Sequence, residues 1–410
     1  MKPTRNILII GAGPAGTYAA IAARKQDPDA RVVLLSDEPC EPYEKPPLSK
    51  AVLLGRAAAA DAPIAGPAGV EAQGIALERE ARCVGIDRTA REVVLDGGRR
   101  LPYDALVIAT GAVVREIPQL PLGMPGVHYL RTVADAEAFK TSLGRSRHLL
   151  VVGGGLIGLE AAASAAELGL RVTVLEVAPR ILGRVCYETI SELVHAAHVR
   201  HGVDIRLGTT LISAQSTSDG RVTVRTADGE TLTGDTVVVG TGAKPDYRLA
   251  GEAGLATVDG IVVDQQCRTS DPVIFAAGDA VRFPGPDGAV RLENWRHALD
   301  QGTIAGRNAA GAAEVYAAVP SFWSEQYDLY IQGVGWPTAQ VDPVHRPLPE
   351  GSALTFEISG GRLVYALGIN VQRDLAAARR LIERRVPVDA TSLADPAQPL
   401  AAMLKRTDSK

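Results

Sequence analysis

The chain has 410 residues, of which 46% are hydrophobic and 22% charged, which is enough apolar material for two or three domains with ordinary cores. Its net charge of −4 gives no reason to expect binding to nucleic acid or to a membrane surface. No apolar run approaches the ~20 residues of a membrane span, and the first residues lack the long apolar stretch of a secretory signal. We therefore expect a cytoplasmic protein.

The first predicted element is a strand–helix–strand unit over residues 7–35. Gly11, Gly13 and Gly16 form a G-x-G-x-x-G motif between its first strand and its helix. In such a turn the backbone N–H groups and the helix N-terminus face a pyrophosphate, and the glycines leave room for it. The unit therefore predicts a dinucleotide-binding site.

The second strand of this unit runs into three polar residues, Ser36, Asp37 and Glu38. A carboxylate in this region accepts hydrogen bonds from a ribose. Ser36 occupies the position that is usual for this acid, so we expect Asp37, with Glu38 behind it, to bind the ribose. Two solvated acids in a loop are the alternative.

The segment that follows is less regular. Residues 36–50 contain four prolines and predict irregular structure, whereas residues 51–100 predict a mixture of helix and short strands. The sequence "ALVIATGA" at 105–112 then predicts a buried strand that stops at Thr110 and Gly111.

A second strand–helix–strand unit, residues 148–176, repeats the pattern of the first. Gly153, Gly155 and Gly158 form the same motif, and Glu176 ends the second strand. A carboxylate at this position binds a free 2′-hydroxyl and repels a 2′-phosphate, which favours NADH over NADPH. The alternative is that Arg180 contacts a phosphate group of the nucleotide.

The remainder of the chain predicts short strands with two longer helices. A hairpin turn is predicted at 228–229, and "TVVVGTG" at 236–242 repeats the strand that stops at Thr-Gly. The other predicted elements are a buried strand in 273–281 that ends at Gly278 and Asp279, a helix over about 294–310, strands around 354–358 and 363–369, and a basic helix near 373–385. The change of pattern near 319 predicts a third, smaller domain.

Five segments in this order carry a family resemblance: "YEKPPLSK" (43–50), "ATGA" (109–112), "GGGLIGLE" (153–160), "AAGDAV" (276–281) and "FWSEQY" (322–327). Together they resemble the NADH-dependent, FAD-containing ferredoxin reductases of bacterial haem monooxygenase and Rieske dioxygenase systems. The resemblance implies an α/β fold with two Rossmann-like, glutathione-reductase-like dinucleotide-binding domains and a C-terminal α+β domain. The implied bounds are 1–112 and 236–318 for a discontinuous FAD domain, 113–235 for the NAD domain and 319–410 for the C-terminal domain.

The resemblance also implies the residues that contact the two cofactors. Besides the motif glycines, they are Ala15, Asp37, Glu38, Lys45, Lys50, Val84, Thr110, Gly111, Arg131, Leu156, Ile157, Glu160, Glu176, Gly242, Gly278, Asp279, Glu293 and Trp295. Asp279 is expected to bind the ribityl chain. The N-terminus of the helix that begins at Trp295 is expected to face the edge of the flavin where negative charge gathers on reduction.

Three residues are implied to act at the reacting centre. Lys50 and Glu160 resemble a pair beside flavin N5 that positions the nicotinamide, and Trp323 resembles a tryptophan close to both cofactors. A solvated lysine, a glutamate that suits the helix dipole and a core tryptophan are the alternatives. Leu156 cannot stack on the flavin ring as an aromatic residue would, which leaves the gating of nicotinamide access open.

The four cysteines, Cys40, Cys83, Cys186 and Cys267, include no C-x-x-C or similar close pair, so we expect neither a metal site nor a dithiol redox centre. Electrons must then leave the flavin for an external acceptor, for which the resemblance implies a small acidic 2Fe–2S ferredoxin that serves a terminal oxygenase. Its docking would use a local basic patch. Candidate residues are Arg296, Arg307, Arg373, Arg379, Arg380, Arg384 and Arg385.

Two other functions remain as alternatives. One is a stand-alone NADH oxidase or peroxidase, in which Cys40 would cycle through sulfenic acid. The other is a flavoprotein similar to apoptosis-inducing factor, which acts by binding macromolecules but would be expected to have a basic surface and a targeting segment. The sequence does not fix whether the protein is a monomer or a homodimer.

Overall fold

The computed structural model describes residues 4–338 and 341–404. The chain divides into two compact units. The first consists of Met1–Pro47, Ala58–Val113 and Ala243–Ala318, and the second of Leu48–Ala57, Val114–Gly242 and Val319–Lys410. The three-domain division expected from the sequence stays a prediction.

The strands are numbered in chain order. They are β1 Asn6–Ile10, β2 Arg31–Leu35, β3 Ala76–Glu78, β4 Cys83–Asp87, β5 Glu92–Leu95, β6 Arg100–Pro102, β7 Ala105–Ile108, β8 Ala112–Val114, β9 Val127–Tyr129, β10 His148–Val152, β11 Arg171–Leu175, β12 Asp204–Arg206, β13 Leu211–Ser216, β14 Val222–Thr226, β15 Thr231–Gly234, β16 Thr236–Val239, β17 Ala243–Pro245, β18 Ile261–Val262, β19 Ile274–Ala276, β20 Val281–Gly285, β21 Gly288–Val290, β22 Ser321–Gln326, β23 Leu329–Gly335, β24 Val344–Arg346, β25 Ala353–Ser359 and β26 Arg362–Ile369.

The α-helices are numbered in the same way. They are α1 Pro14–Gln26, α2 Val133–Leu143, α3 Leu156–Glu167, α4 Glu188–Arg200, α5 Arg248–Glu252, α6 Trp295–Ala309, α7 Gln372–Glu383, α8 Ala390–Ala394 and α9 Leu400–Met403.

A parallel sheet forms the centre of the first unit, with strand order β19-β7-β1-β2-β3. Its strands are apolar at nearly every position because both faces of a parallel sheet are covered; Ile7 and Ile9 are fully buried. Helices α1 and α6 lie against each other very closely, because Gly302 and Gly306 of α6 carry no side chain. A Cβ on Gly302 would lie 2.2 Å from the carbonyl oxygen of Ala15.

The second unit contains a parallel sheet of the same kind, with strand order β12-β11-β10-β16-β9. It also contains an antiparallel five-stranded sheet, in the order β22-β23-β26-β25-β24. Helix α7 buries Leu375, Ala378 and Leu381 in one cluster with Phe356 of β25. The two parallel sheets and the mixed α/β C-terminal part confirm the predicted fold class.

The prediction of helix and short strands within residues 51–100 is confirmed for the strands and wrong for an α-helix. All of these residues are described, and they form β3, β4, β5 and the first residue of β6, with two 3-10 turns, Ala59–Asp61 and Glu71–Gln73, but no α-helix. Glycines in the left-handed region, including Gly66, Gly69 and Gly74, interrupt the chain too often for one to propagate. The helices predicted near 294–310 and 373–385 are confirmed as α6 and α7.

Candidate functional site

The first glycine turn joins β1 to α1 in the first unit. Gly11 has φ +99°, and a Cβ there would lie 2.3 Å from the carbonyl oxygen of Ala109. A Cβ on Gly16 would lie 1.8 Å from the carbonyl oxygen of Gly11. Gly13 is the N-cap of α1 and no side chain caps it. The turn therefore requires glycine and presents N–H groups of the helix start to a ligand.

The second glycine turn joins β10 to α3 in the second unit and repeats this geometry. Gly153 has φ +108°, and a Cβ there would lie 2.6 Å from the carbonyl oxygen of Gly240. A Cβ on Gly158 would lie 2.2 Å from the carbonyl oxygen of Gly153. Gly155 is the N-cap of α3, again with no side-chain cap. Two sites of one architecture are therefore present, each suited to a pyrophosphate.

Glu176 lies beside the second turn and is held by the backbone. Its Oε2 accepts a hydrogen bond from the amide of Gly154 at 2.6 Å, and its Oε1 accepts one from the amide of Ala178 at 2.7 Å. Arg180 donates instead to the carbonyl oxygens of Cys186, at 2.7 Å, and Gly183, at 3.1 Å. The carboxylate therefore faces the turn while the guanidinium of Arg180 is occupied elsewhere, which supports the expected preference for NADH.

The two acids after β2 have different surroundings. Asp37 is exposed, whereas Glu38 is half-buried. The hydroxyl of Tyr43 donates to Glu38 Oε2 at 2.7 Å, and Lys45 Nζ lies 3.6 Å from Glu38 Oε1. Ser36 Oγ caps this loop by accepting from the amide of Glu38 at 3.2 Å. Glu38 and Lys45 are thus brought together, and the part of Asp37 in ribose binding stays a prediction.

Lys50 and Glu160 meet in the second unit, as the sequence predicted. Lys50 Nζ lies 3.1 Å from Glu160 Oε1, and the Glu160 side chain is buried. Two serine hydroxyls complete the surroundings of the carboxylate. Ser324 Oγ donates to Oε1 at 2.5 Å and Ser49 Oγ donates to Oε2. A buried carboxylate requires such partners, because its desolvation is costly without them.

Sequence reasoning missed both serines. Ser49 could have been suggested by its position next to Lys50, and Ser324 by its place in "WSEQ" next to Trp323. Trp323 is half-buried on β22, and Ser324 is fully buried. Because side chains alternate along a strand, Trp323 points to the opposite face of β22 from Ser324. Its contact with a cofactor stays a prediction.

The start of α6 in the first unit is organised around Trp295. Asn294 caps the helix by accepting from the amide of His297 at 2.8 Å. The indole N–H of Trp295 donates to Glu44, and the ring packs edge-on against Tyr18 with the ring centroids 6.4 Å apart. Burial raises the pKa of the Glu44 carboxyl. Glu44 and Tyr18 were not predicted as site residues.

The turn that carries Gly278 and Asp279 lies against the start of α1. Gly278 has φ +83°, and a Cβ there would lie 2.8 Å from Cβ of Ala15. Its amide donates to Gln301 Oε1 at 2.8 Å. Asp279 thus follows a residue that packs closely on the start of α1. Its expected binding of the ribityl chain stays a prediction.

Two buried polar atoms of α6 bear on the fit of a cofactor to the first unit. His297 Nε2 and Gln301 Nε2 have no hydrogen-bond partner within residues 4–338 and 341–404. Burial lowers the pKa of His297 to about 4, so its ring is neutral near pH 7. Orphaned buried polar atoms are rare in folded proteins and indicate a missing partner. Together with the uncapped glycine turn they fit FAD, and the second turn with Glu176 fits NADH.

The other predicted contact residues are dispersed. Thr110 and Gly111 bond to the backbone of Asp246, at 2.5 Å through the Thr110 hydroxyl and at 2.9 Å through the Gly111 carbonyl. The remaining positions lie on the surface or are half-buried, and their contacts with a cofactor stay predictions: Val84, Arg131, Leu156, Ile157, Gly242 and Glu293. The guanidinium of Arg184 lies close to Gly242, with Nη2 3.3 Å from the position of a Cβ on that glycine.

The cysteines are not arranged for redox chemistry. All four are free, and burial raises the pKa of each thiol, to about 11 for Cys83 and about 12 for Cys186. A raised pKa leaves little thiolate, which is the reactive form. Within the described residues, no group of three or more His, Cys, Asp or Glu side chains is arranged to hold a metal ion.

Among the same residues, no helix has the length and apolar character that a membrane span requires.

Two family models together match most of the chain. A family model described as pyridine nucleotide-disulphide oxidoreductase matches residues 5–302, and one described as reductase C-terminal matches residues 321–404. The chain is 40% identical over 402 residues to the anthranilate 1,2-dioxygenase system ferredoxin–NAD(+) reductase component of Burkholderia cepacia, covering 97% of this chain and 98% of that protein.

Two solved structures are similar over nearly the whole chain. One is a chain of the covalent putidaredoxin reductase–putidaredoxin complex, with a TM-score of 0.93, 33% identity and 99% of both chains covered. The other is the ferredoxin reductase for the CYP199A2 system from Rhodopseudomonas palustris, with a TM-score of 0.92, 36% identity and 97% and 99% of the two chains covered. The chain therefore belongs to the pyridine nucleotide-disulphide oxidoreductase family, as an FAD-dependent enzyme of the ferredoxin–NAD(+) reductase type.

Proposed function

We propose that this protein is an NADH:ferredoxin oxidoreductase that supplies electrons, through a small 2Fe–2S ferredoxin, to a haem monooxygenase or a Rieske dioxygenase. FAD can take a hydride from NADH and release electrons one at a time, which suits it to join a two-electron donor to a one-electron acceptor. Relatives named as components of a dioxygenase system and of a complex with putidaredoxin support this acceptor. A cytoplasmic location, where NADH and reduced thiols are both available, agrees with the four free cysteines.

The observation that carries the proposal is the pair of glycine turns without a cysteine pair. Both turns present an uncapped helix start, so two dinucleotides can bind. All four cysteines are free, and burial and Glu38 raise the pKa of the Cys40 thiol, which would have to react in a peroxidase. The electrons therefore need an external acceptor.

Different residues of this chain would bind the ribose of NADH, orient the nicotinamide ring and border the flavin. The Glu176 carboxylate would accept hydrogen bonds from the ribose hydroxyls of NADH. The amides of Gly154 and Ala178 hold this carboxylate in position. Glu160 and Lys50 would orient the nicotinamide ring, since their ion pair gives the buried carboxylate a fixed direction. Trp295, with its indole N–H on Glu44, would border the flavin at the start of α6.

Two sets of arginines are candidates for the ferredoxin-docking surface. On and just after α7, Arg373, Arg380, Arg384 and Arg385 are exposed, whereas Arg379 pairs with Glu383 at 2.9 Å. On α6, Arg296 pairs with Asp300 and Arg307 pairs with Glu314, both at 2.9 Å. Exposed ion pairs of this kind contribute little, so these arginines remain able to bind an acidic partner.

The proposal is tested by following NADH-dependent reduction of cytochrome c with and without a 2Fe–2S ferredoxin. We expect cytochrome c reduction to depend on the ferredoxin and to fall with added salt, because the docking is electrostatic. Arg380→Glu tests α7 and Arg307→Glu tests α6 as the docking helix. The variant on the docking helix should raise KM for ferredoxin and leave ferricyanide reduction unchanged. Rapid consumption of oxygen with no effect of any ferredoxin would favour the stand-alone oxidase instead.

A further inference from the structure

A row of hydrogen bonds in the second unit leads away from the Glu160 carboxylate into the protein. Ser324 Oγ donates to Glu160 Oε1 at 2.5 Å, and Gln326 Nε2 donates to Ser324 Oγ at 3.1 Å. Gln326 Oε1 lies 2.8 Å from His198 Nε2, and His198 Nδ1 lies 3.3 Å from the hydroxyl of Tyr327. Glu160, Ser324, Gln326 and His198 are all buried.

The chemistry of these groups fixes the direction of every bond. The amide oxygen of Gln326 can only accept, so His198 Nε2 must carry a proton. Burial lowers the pKa of His198 to about 4, so the ring is neutral near pH 7 and Nδ1 is an acceptor. Nδ1 then accepts a hydrogen bond from the hydroxyl of Tyr327. All four donors point along the row toward the carboxylate.

The direction matters most at Ser324. A serine hydroxyl rotates freely and can either donate or accept. Because the Gln326 amide N–H occupies a lone pair of Ser324 Oγ, the hydroxyl hydrogen is directed at Glu160 Oε1. Lys50 Nζ approaches the same oxygen from 3.1 Å, so Oε1 receives two donors whose positions are both defined.

The far end of the row is also fixed. Tyr327 has φ +55° at the turn after β22, and its ring stacks on His201 with the centroids 3.7 Å apart and the planes 5° apart. His201 is the C-cap of α4, and its Nδ1 lies 2.8 Å from the carbonyl oxygen of Ala197. The row thus connects α4 to the glutamate of α3 through β22, over sequence separations of more than one hundred residues.

We infer that Ser324, Gln326 and His198 are positioning residues, which hold the Glu160 carboxylate in the orientation that the nicotinamide requires. This inference rests on the proposed function, in which Glu160 and Lys50 orient the nicotinamide ring. None of the three positioning residues belongs to a glycine motif, and they act on the reacting centre only through Glu160.

The first arm of the test uses the holoenzyme and measures flavin reduction by NADH in a stopped-flow instrument. Ser324→Ala removes a hydrogen bond to the charged Glu160 carboxylate and should lower the limiting reduction rate about tenfold. Gln326→Met removes the neutral hydrogen bond that directs the Ser324 hydroxyl and should lower this rate roughly three- to tenfold. Both variants should leave the dissociation constant of NADH unchanged. Ser321→Ala, on the same strand but outside the row, should keep the wild-type rate. Glu160→Gln provides the reference for complete loss of the carboxylate charge.

The second arm needs no turnover. In protein labelled with ¹⁵N-histidine, the ring nitrogens of His198, assigned by their loss in His198→Gln, should report the neutral Nε2–H tautomer. Gln326→Met should remove this fixed tautomer while the protein stays folded. An Nδ1–H tautomer in the wild type would reverse the deduced direction and overturn the inference.

The Glu160→Gln variant distinguishes a failure of the positioning role from a failure of the role proposed for Glu160. Unchanged reduction rates in Ser324→Ala and Gln326→Met, with a slow Glu160→Gln, would overturn the positioning role and leave the proposed function intact. A wild-type rate in Glu160→Gln would overturn the part assigned to Glu160 itself, and the positioning role with it. Slow reduction in all three variants with a fixed Nε2–H tautomer supports the inference.

Discussion

Replacing Glu176 with alanine should weaken the discrimination between NADH and NADPH. In the folded protein its two carboxylate oxygens are held by the amides of Gly154 and Ala178, so the negative charge has a defined position beside the second glycine turn. A ribose hydroxyl can still donate to the free lone pairs of these oxygens. A 2′-phosphate brought to the same position meets a fixed like charge.

The size of the effect follows from Coulomb's law. At ~4 Å, two unit charges repel by about 1 kcal/mol in bulk water and by about 4 kcal/mol at the lower dielectric near a protein surface. Glu176 is half-buried, so we take an intermediate value of about 2 kcal/mol. This corresponds to roughly a 30-fold change in the ratio of kcat/KM for the two nucleotides.

The assay is the steady-state reduction of ferricyanide with NADH or NADPH as the varied substrate. We expect Glu176→Ala to lower kcat/KM for NADH and to raise it for NADPH. Glu192→Ala, which removes an exposed carboxylate from α4 in the same unit, controls for net charge. Equal use of both nucleotides by the wild type, or an unchanged ratio in Glu176→Ala, would refute the reasoning.

Three further changes test other parts of the structure. Gly302→Ala would place a Cβ 2.2 Å from the carbonyl oxygen of Ala15, so we expect a loss of ~1–3 kcal/mol of stability and release of FAD at lower temperature, whereas Gly251→Ala on α5, where the nearest atom is at 3.8 Å, should leave the release temperature unchanged. The pKa of His198 falls from 6.5 to about 4 on folding. The contribution of the neutral His198 ring to the free energy of unfolding is therefore fully present above pH 6.5 and is lost as the pH falls toward 4. Denaturant unfolding at the two pH values should show that the free energy of unfolding of the wild type falls by about 3 kcal/mol more than that of His198→Gln. The same dependence of this free energy on pH in both proteins would contradict the assignment. Cys40→Ser should leave both NADH-dependent ferredoxin reduction and oxygen consumption unchanged, because the raised pKa of this thiol keeps it protonated; loss of a peroxidase activity in this variant would count against the reductase.

The parts of the fold that depend on local patterns could be predicted. Each glycine turn depends on a few consecutive residues, because a strand, a tight turn and a helix start are adjacent in the chain. The ends of α6 and α7 were placed within about three residues for the same reason, since helical periodicity is local. The helix expected within 51–100 did not form as an α-helix because glycines in this segment, such as Gly66 and Gly69, adopt left-handed turns.

The candidate site was predicted less completely, because its contacts join distant segments. Lys50 and Glu160 were paired correctly through the family resemblance, but Ser49 and Ser324, which complete the carboxylate's surroundings, were not. Glu44 was passed over in the segment quoted for the resemblance, although it receives the indole N–H of Trp295 from 251 residues away. A hydrogen bond of this kind leaves no periodic signal in the sequence.

The sequence by itself determined that this chain has two dinucleotide-binding motifs, that its four cysteines include no closely spaced pair, and that a carboxylate follows the second motif. These properties depend on which residues are present and on spacings of a few positions. Only the tertiary structure decided that Glu176 is held by two amides, that Arg180 is bound to carbonyl oxygens, and that a directed row of hydrogen bonds reaches Glu160 from His198. Buried polar groups must find partners wherever the fold brings them together, and that pairing is set by packing in three dimensions.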